Sequence, residues 1–315
     1  MRRVVILSNL DECCGNATYG RLLRSHLAQW YDVQMLDAGQ WNANAGKPHV
    51  VIINWHPAKV STHVGHVESL QENGAKVILI LQNSFDETHN VTSRDLLAVC
   101  DAVVAHEPMK VFYDGKAAHN VHFIPHGILE VPNLHQWNAS VVSMFGTAGF
   151  QFPWKRPEVV VEAARRCGVF ARIYCPPYPG FDRNREIDKW NLMYKNVHVD
   201  RNWLPEGQVI QGLSEHLLNI FWFQSRGTDD TFGQTGSARM GVAAKRPMII
   251  SRHRKFRTFM DYEEEFYIAD TEEEVYAFSR EIMDNPSSAR RPNRIVAETG
   301  WSKTAELYHN LIESL

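Results

Sequence analysis

The feature that most constrains this chain is a series of short, almost unbroken apolar runs, each followed by a stretch with helical period. VVILSN (4–9), VQML (33–36), VVIIN (50–54), KVILIL (76–81), DAVVAH (101–106) and VHFI (121–124) succeed one another through the first half. A strand with one wet face alternates apolar and polar residues. A strand without a polar face belongs in a sheet covered on both sides, which is the habit of parallel sheets. Between the first two runs, ATYGRLLRSHLAQW (17–30) places Leu22, Leu23 and Leu27 on one helical face. Strand–helix alternation of this kind predicts a doubly wound α/β fold.

The second half repeats the pattern. VVSMF (141–145), FARIYC (170–175), NVHV (196–199), LNIFWF (218–223), MIIS (248–251) and EFYIAD (265–270) read as strands. Helices are expected at 155–168, near 183–194 and 205–217, and at 237–245, 271–285 and 301–315. The stretch PHGILEVPNLHQWNAS (125–140) has two prolines and no period, and reads as a connection. At 315 residues the chain exceeds one ordinary core. The expected organisation is a domain over 1–134, a second over 135–300, and a last helix, 301–315.

Composition excludes several classes. Hydrophobic residues make up 44%, yet no apolar run approaches the ~18 residues of a membrane span. MRRVVILSNLDE turns polar after four apolar residues and reads as a first strand, not a secretion signal. Five cysteines without a C-x-x-C pair argue against a disulfide framework or a zinc site, and suit a reducing cytoplasm. A net charge of −3 gives no global attraction to nucleic acid or anionic lipid.

In sheets of this type ligands bind beyond the carboxyl ends of the strands, so the residues there carry the functional information. The strand LNIFWF runs into a glycine-bearing loop, then into a helix that Thr235, Gly236 and Ser237 start and that Lys245, Arg246 and Pro247 end. Outward-pointing N–H groups at such a start make an anion site. After the first strand, DECCGNATYG supplies Gly15 and Gly20 but no G-x-G-x-x-G, so the nicotinamide fingerprint is absent. Trp55 and His56 follow the third strand, and Asp86, Glu87 and His89 the fourth. Lys155 and Arg156 are expected to open a helix after the second half's first strand, with Lys155 placed to neutralise a diphosphate. Tyr178 and Trp203 lie in strand-end loops where a base could stack. RHRKFR (252–257) is a dense basic run; it reads either as a solvated loop balanced by DYEEE (261–265) or as a contact for an anionic acceptor through Arg252, Arg254 and Lys255.

Four segments resemble the retaining, nucleotide-sugar-dependent GT-B-fold glycosyltransferases of the family 4 type: GNATYGRLL (15–23), FIPHG (123–127), GTAGFQFPWKRPEVVVEAARR (146–166) and FGQTGSARMGVAAKRPMIIS (232–251). The resemblance spans most of the chain and marks a divergent member. The family's two glutamates eight positions apart fall on Phe232 and Met240 when aligned back from Pro247, and its arginine before the lysine falls near Thr147 and Ala148. Arg156 or Arg226 could supply that missing charge. The resemblance implies two Rossmann-like domains in GT-B arrangement with an interdomain cleft, a C-terminal helix returning to the first domain, and a UDP- or GDP-linked sugar donor. It implies Lys155 as a catalytic cation and donor contacts at Gly15, Asn16, Arg156, Gln234, Thr235, Gly236, Ser237, Tyr178 and Trp203. His56 is the candidate acid/base or acceptor contact, by its strand-end position. No D-x-D occurs, and the adjacent Asp229 and Asp230 read as loop carboxylates, so transfer is expected to need no metal and no cofactor. Two alternatives stand beside this reading: a glycosyltransferase acting on modified nucleic acid bases, and a non-catalytic nucleotide-sugar- or glycan-binding protein.

Overall fold

The computed structural model describes residues 1–11, 14–37, 47–55, 64–82, 96–106, 112–113, 116–117, 120–136, 144–150, 152–178, 184–224 and 235–315. It divides into two compact units. The first comprises Met1–Gly127 together with Trp301–Leu315, and the second lies between them in the chain, beginning at Ile128 and ending at Gly300.

In the first unit, strands β1 (Arg3–Ser8), β2 (Asp32–Asp37), β3 (Val50–Trp55), β4 (Lys76–Leu81) and β5 (Ala102–Ala105) form a sheet with β8 (Val121–Phe123). The order is β2-β1-β3-β4-β5-β8 and every pairing is parallel. A two-stranded antiparallel pair, β6 (Phe112–Tyr113) with β7 (Lys116–Ala117), precedes β8. The apolar runs occupy the interior as their composition requires: β3 and β5 are buried along their whole length, and β1 and β4 everywhere except at their first residue. Each fully buried Val, Leu or Ile there contributes roughly 1.5–3 kcal/mol.

The helix Trp301–Ser314 packs against the helix Gly15–Leu27 of the same unit. The hydroxyls of Tyr19 and Tyr308 lie 2.9 Å apart, and Trp30 stacks on His309 with ring centres at 4.5 Å. Tyr31 donates to Glu313 at 2.8 Å.

The second unit holds a second parallel sheet of six strands. These are β9 (Met144–Ala148), β10 (Phe170–Tyr174), β11 (Val197–Asp200), β12 (Leu218–Phe221), β13 (Met248–Ile250) and β14 (Tyr267–Ile268), in the order β11-β10-β9-β12-β13-β14. Helix Pro157–Cys167 buries Val159, Val160, Ala163 and Ala164 against this sheet's core and stops at Gly168, whose φ of 69° suits glycine. Helix Glu272–Asp284 starts with a capping box formed by Thr271 and Glu274.

Some local expectations needed correction. Lys155 does not open the α-helix; it ends a 3-10 turn, Pro153–Lys155, and the α-helix begins at Pro157. The cause is Pro157, whose ring disfavours the right-handed helical region for the residue before it. Arg156 accordingly sits at φ 44°, ψ 55° and breaks the helix from the turn. The helix expected near 183–194 is two short ones, Asn184–Asp188 and Trp190–Met193. EFYIAD contributes only the two residues of β14, an edge strand paired with β13 alone. The run RHRKFR enters 3-10 structure spanning Arg254–Glu265.

Candidate active site

The second sheet reverses its strand order around β9: β10 and β11 extend to one side, β12 to β14 to the other. A crevice opens beyond the carboxyl ends at such a point, because successive connections leave in opposite directions. Gly149 follows β9 there. Its N–H donates to the Tyr174 carbonyl at 2.8 Å, and its φ of +96° is a conformation that side chains resist. A Cβ at 149 would lie 2.5 Å from Ser237 Cβ and 3.2 Å from Lys155 Nζ. Glycine is required on both counts, and its absence of a side chain lets three segments converge.

The turn that carries Lys155 is tied to the neighbouring strand end. Gln224 N, just after β12, donates to the Trp154 carbonyl at 2.7 Å. Ser251, just after β13, holds both polar groups of the Phe223 backbone, accepting from its N at 3.1 Å and donating to its O at 2.8 Å. Phe223 is therefore fixed beneath the turn, with its ring edge-on to Trp154 at 5.0 Å.

Lys155 Nζ donates to Ser237 Oγ at 3.2 Å and lies 5.4–5.9 Å from the ring centres of Trp154, Phe223 and Phe152. Burial pulls this ammonium down to about 7; Cys175 acts against that fall and Lys255 adds to it. Ser237 in turn lies 3.0 Å from Thr235 Oγ1, which caps the helix Gly236–Ala243 by accepting from Ala238 N at 3.4 Å. Among the described residues, a Cβ at Gly236 would meet nothing within 4 Å. The ensemble is a cation, a hydroxyl pair and a helix start with outward N–H groups, all suited to a polyanion.

Beside it lies an aromatic cluster. Phe150 contacts Tyr178 at 5.0 Å, Trp203 at 5.7 Å and Phe152 at 6.3 Å, and Phe152 contacts Tyr178 at 5.3 Å. Tyr178 and Trp203 remain 41% and 38% exposed, so each presents ring surface to solvent as well as to its neighbours.

No protein-family model matches the chain, and no curated protein matches it. Solved structures do. Its full length matches all of Anabaena HepE (Alr3699), solved in complex with UDP and glucose and with UDP-glucose, at a TM-score of 0.75 and 10% identity. It likewise matches the whole of sucrose-phosphate synthase from Thermosynechococcus elongatus, at 0.70 and 12%. An E. coli trehalose-6-phosphate structure bound with UDP-2-fluoro glucose matches at 0.66 and 10%, over 99% of both chains. The chain has the GT-B fold.

Within this GT-B chain the structure brings together Lys155, Thr235 and Ser237, and it joins Tyr178 to Trp203 through Phe150. Arg156 is committed elsewhere: Nε donates to Glu158 at 2.6 Å, one terminal nitrogen to Gln224 at 2.7 Å and the other to Glu272 at 2.6 Å. Gly15 and Asn16 belong to the first unit, at the start of the helix after β1. The carbonyl of Asn16 accepts from Asn54 Nδ2 at 2.7 Å, and the same nitrogen donates to Ser8 Oγ at 2.9 Å. These bonds tie the ends of β1 and β3. His56 and Gln234 lie outside the described residues, as do Arg226, Asp229 and Asp230.

The basic run is split rather than presented as one face. Arg252, Arg254 and Arg257 are exposed, and Arg252 pairs with Asp270 at 3.4 Å. His253 and Phe256 are buried, and Lys255 leans toward Trp154. Sequence reasoning did not single out Gly149, Phe150, Phe152, Trp154 or Phe223. A glycine immediately after a strand, and aromatics at 150, 152 and 154 leading into a lysine, were the available signals.

Proposed function

We propose that the chain is a glycosyltransferase that moves a sugar from a nucleotide-sugar donor to an acceptor hydroxyl or other nucleophile. The observation that carries this is Lys155, an ammonium enclosed by three aromatic rings and directed at the capped helix start, in a chain of GT-B fold. The donor diphosphate binds where Lys155, Ser237 and the N–H groups of the helix Gly236–Ala243 converge. Phe150, Tyr178 and Trp203 offer surface on which its base stacks. HepE and the E. coli structure hold UDP-linked ligands, which favours UDP over GDP.

Charge accumulates on the diphosphate as the glycosidic bond breaks. A positioned cation and fixed dipoles stabilise that charge without proton transfer and without rearranging. The donor supplies what Lys155 needs to stay protonated, since its surroundings, burial foremost, bring it to about 7 and a dianion beside it drives it back up. Transfer is proposed to retain anomeric configuration and to need no metal; turnover should then persist in the presence of a chelator. A cytoplasmic location fits Cys14, Cys100 and Cys167 lying outside any disulfide, and among the described residues no helix is long and apolar enough to cross a membrane.

The test is Lys155→Ala. Turnover with UDP-glucose or another accepted donor should fall by about 10²–10³-fold, as when one preorganised electrostatic group is removed. Donor affinity should fall less, because the interaction strengthens toward the transition state. Lys155→Arg should rescue only in part, a planar fork being a poor substitute for a compact ammonium. A folded Lys155→Ala protein with native turnover would remove Lys155 from the chemistry and the reading with it.

A further inference from the structure

We propose that the β11 edge of the second sheet carries a docking surface for an anionic lipid bilayer, built from Phe170, Leu192 and Met193 with Arg185, Lys189 and Lys195 around them. The three apolar residues are 60%, 88% and 63% exposed. Single exposed apolar residues are ordinary on a protein surface, but a group of them in one place marks a site of contact.

The short helix Trp190–Met193 presents two of them. Trp190, 4% exposed, belongs to the core of this unit, and Tyr194 packs against the same core. Asn191 is bonded twice to Val199 of the edge strand β11, accepting from its N at 2.7 Å and donating to its O at 3.1 Å. With 190, 191 and 194 tied to the sheet, Leu192 and Met193 are left to solvent. Asn196 then brings in the start of β10: its carbonyl accepts from Ala171 N at 2.8 Å, and its side chain donates to Val169 O at 3.1 Å. Phe170 lies between those two bonds and is exposed beside the segment that carries Met193.

The charges around this group select its partner. Arg185, Lys189 and Lys195 are exposed, and among the described residues none of them forms an ion pair. Of the two acids between 184 and 198, Asp188 is taken by Arg201 at 2.8 Å, which leaves Glu186 against three cations. The chain as a whole carries −3, so this positive excess is local and runs against the net charge. Apolar side chains that enter the acyl boundary, ringed by cations that meet lipid phosphates, are what a bilayer surface recognises. A stable protein interface takes about 20–30 residues a side, far more than this surface offers. Bilayer binding has no such threshold, because each inserted side chain and each cation contributes separately.

The deciding measurement is co-sedimentation of the full-length protein with vesicles of phosphatidylcholine alone, and of phosphatidylcholine and phosphatidylglycerol in equal parts. Native protein should bind the mixed vesicles and much less the neutral ones, and added salt should weaken binding. The double variant Lys189→Gln with Lys195→Gln should lose about fivefold in affinity per lysine and flatten the salt dependence. Leu192→Ser with Met193→Ser should lose about tenfold or more and keep that dependence. All four side chains are exposed, so both variants should keep the native denaturant midpoint. Mixed-vesicle affinity unchanged in either variant overturns the inference, as does native protein that binds neither vesicle. Dimers that Leu192→Ser with Met193→Ser disperses, in a protein that does not sediment with vesicles, assign the surface to a second copy and overturn it too. None of these readouts involves the donor, so the inference stands or falls apart from sugar transfer.

Discussion

At the scale of single residues, the second unit places a neutral histidine deep in its core. His216 is 1% exposed, its Nδ1 lies 2.9 Å from Asn219 Oδ1, and Gly146 accommodates its ring, since a Cβ there would fall 1.9 Å from Nδ1. Burial pulls His216 from 6.5 to about 4; the Asn219 hydrogen bond opposes this, and Arg172 and Arg246 reinforce it. Between those pH values the unfolded chain binds a proton that the folded one refuses. Stability is therefore complete above about 6.5 and declines as pH falls toward 4, by up to about 3 kcal/mol. Denaturant midpoints at pH 7 and pH 4.5 should differ accordingly, and His216→Gln should flatten the difference. A variant with an unchanged acid slope would assign the effect to other groups.

At the scale of elements, glycine positions record which segments must touch. Gly127, in the FIPHG segment, lies against the final helix: a Cβ there would sit 2.5 Å from Trp301 Cδ2, and Trp301 is 1% exposed. The Trp301 ring is itself packed against Tyr19, His26 and His126. Gly127→Ala should cost roughly 1–3 kcal/mol, the usual range for overpacking a filled core. Gly207, in the helix Glu206–Leu213, offers the contrast, because its added methyl meets nothing within 4 Å. Gly207→Ala should stabilise by as much as about 1 kcal/mol through helix propensity. Urea titrations of the pair test the contact directly, and similar effects at both sites would refute it.

At the scale of the whole molecule, the chain shares its fold along its entire length with proteins at 10–12% identity. Buried strands tolerate exchange among Val, Ile and Leu when pattern and volume persist, so the architecture outlasts the residues. The first unit takes chain from both ends, Met1–Gly127 and Trp301–Leu315, while Lys155 and the capped helix lie in the second. UDP at about 100 times its dissociation constant should raise apparent stability by ~2.7 kcal/mol. Hydrogen exchange should slow at 149–156 and 235–240 on binding. Protection confined to the first unit would place the donor elsewhere.

The sequence by itself determined the layers. The apolar runs, Pro247 and the Thr235 start are signals within a dozen residues, because period, capping and turn chemistry act over one or two turns. Pro157 was equally legible, and it explains why Lys155 ends a 3-10 turn. Other features were decided only by the tertiary structure. Arg156 is taken by Glu272 across 116 residues, Gly127 answers to Trp301, and Lys255 reaches the ring beside Lys155. Such neighbours depend on which strands pair and in what register. That choice is made by many small packing terms summed over the whole core, and no single stretch of the chain contains them.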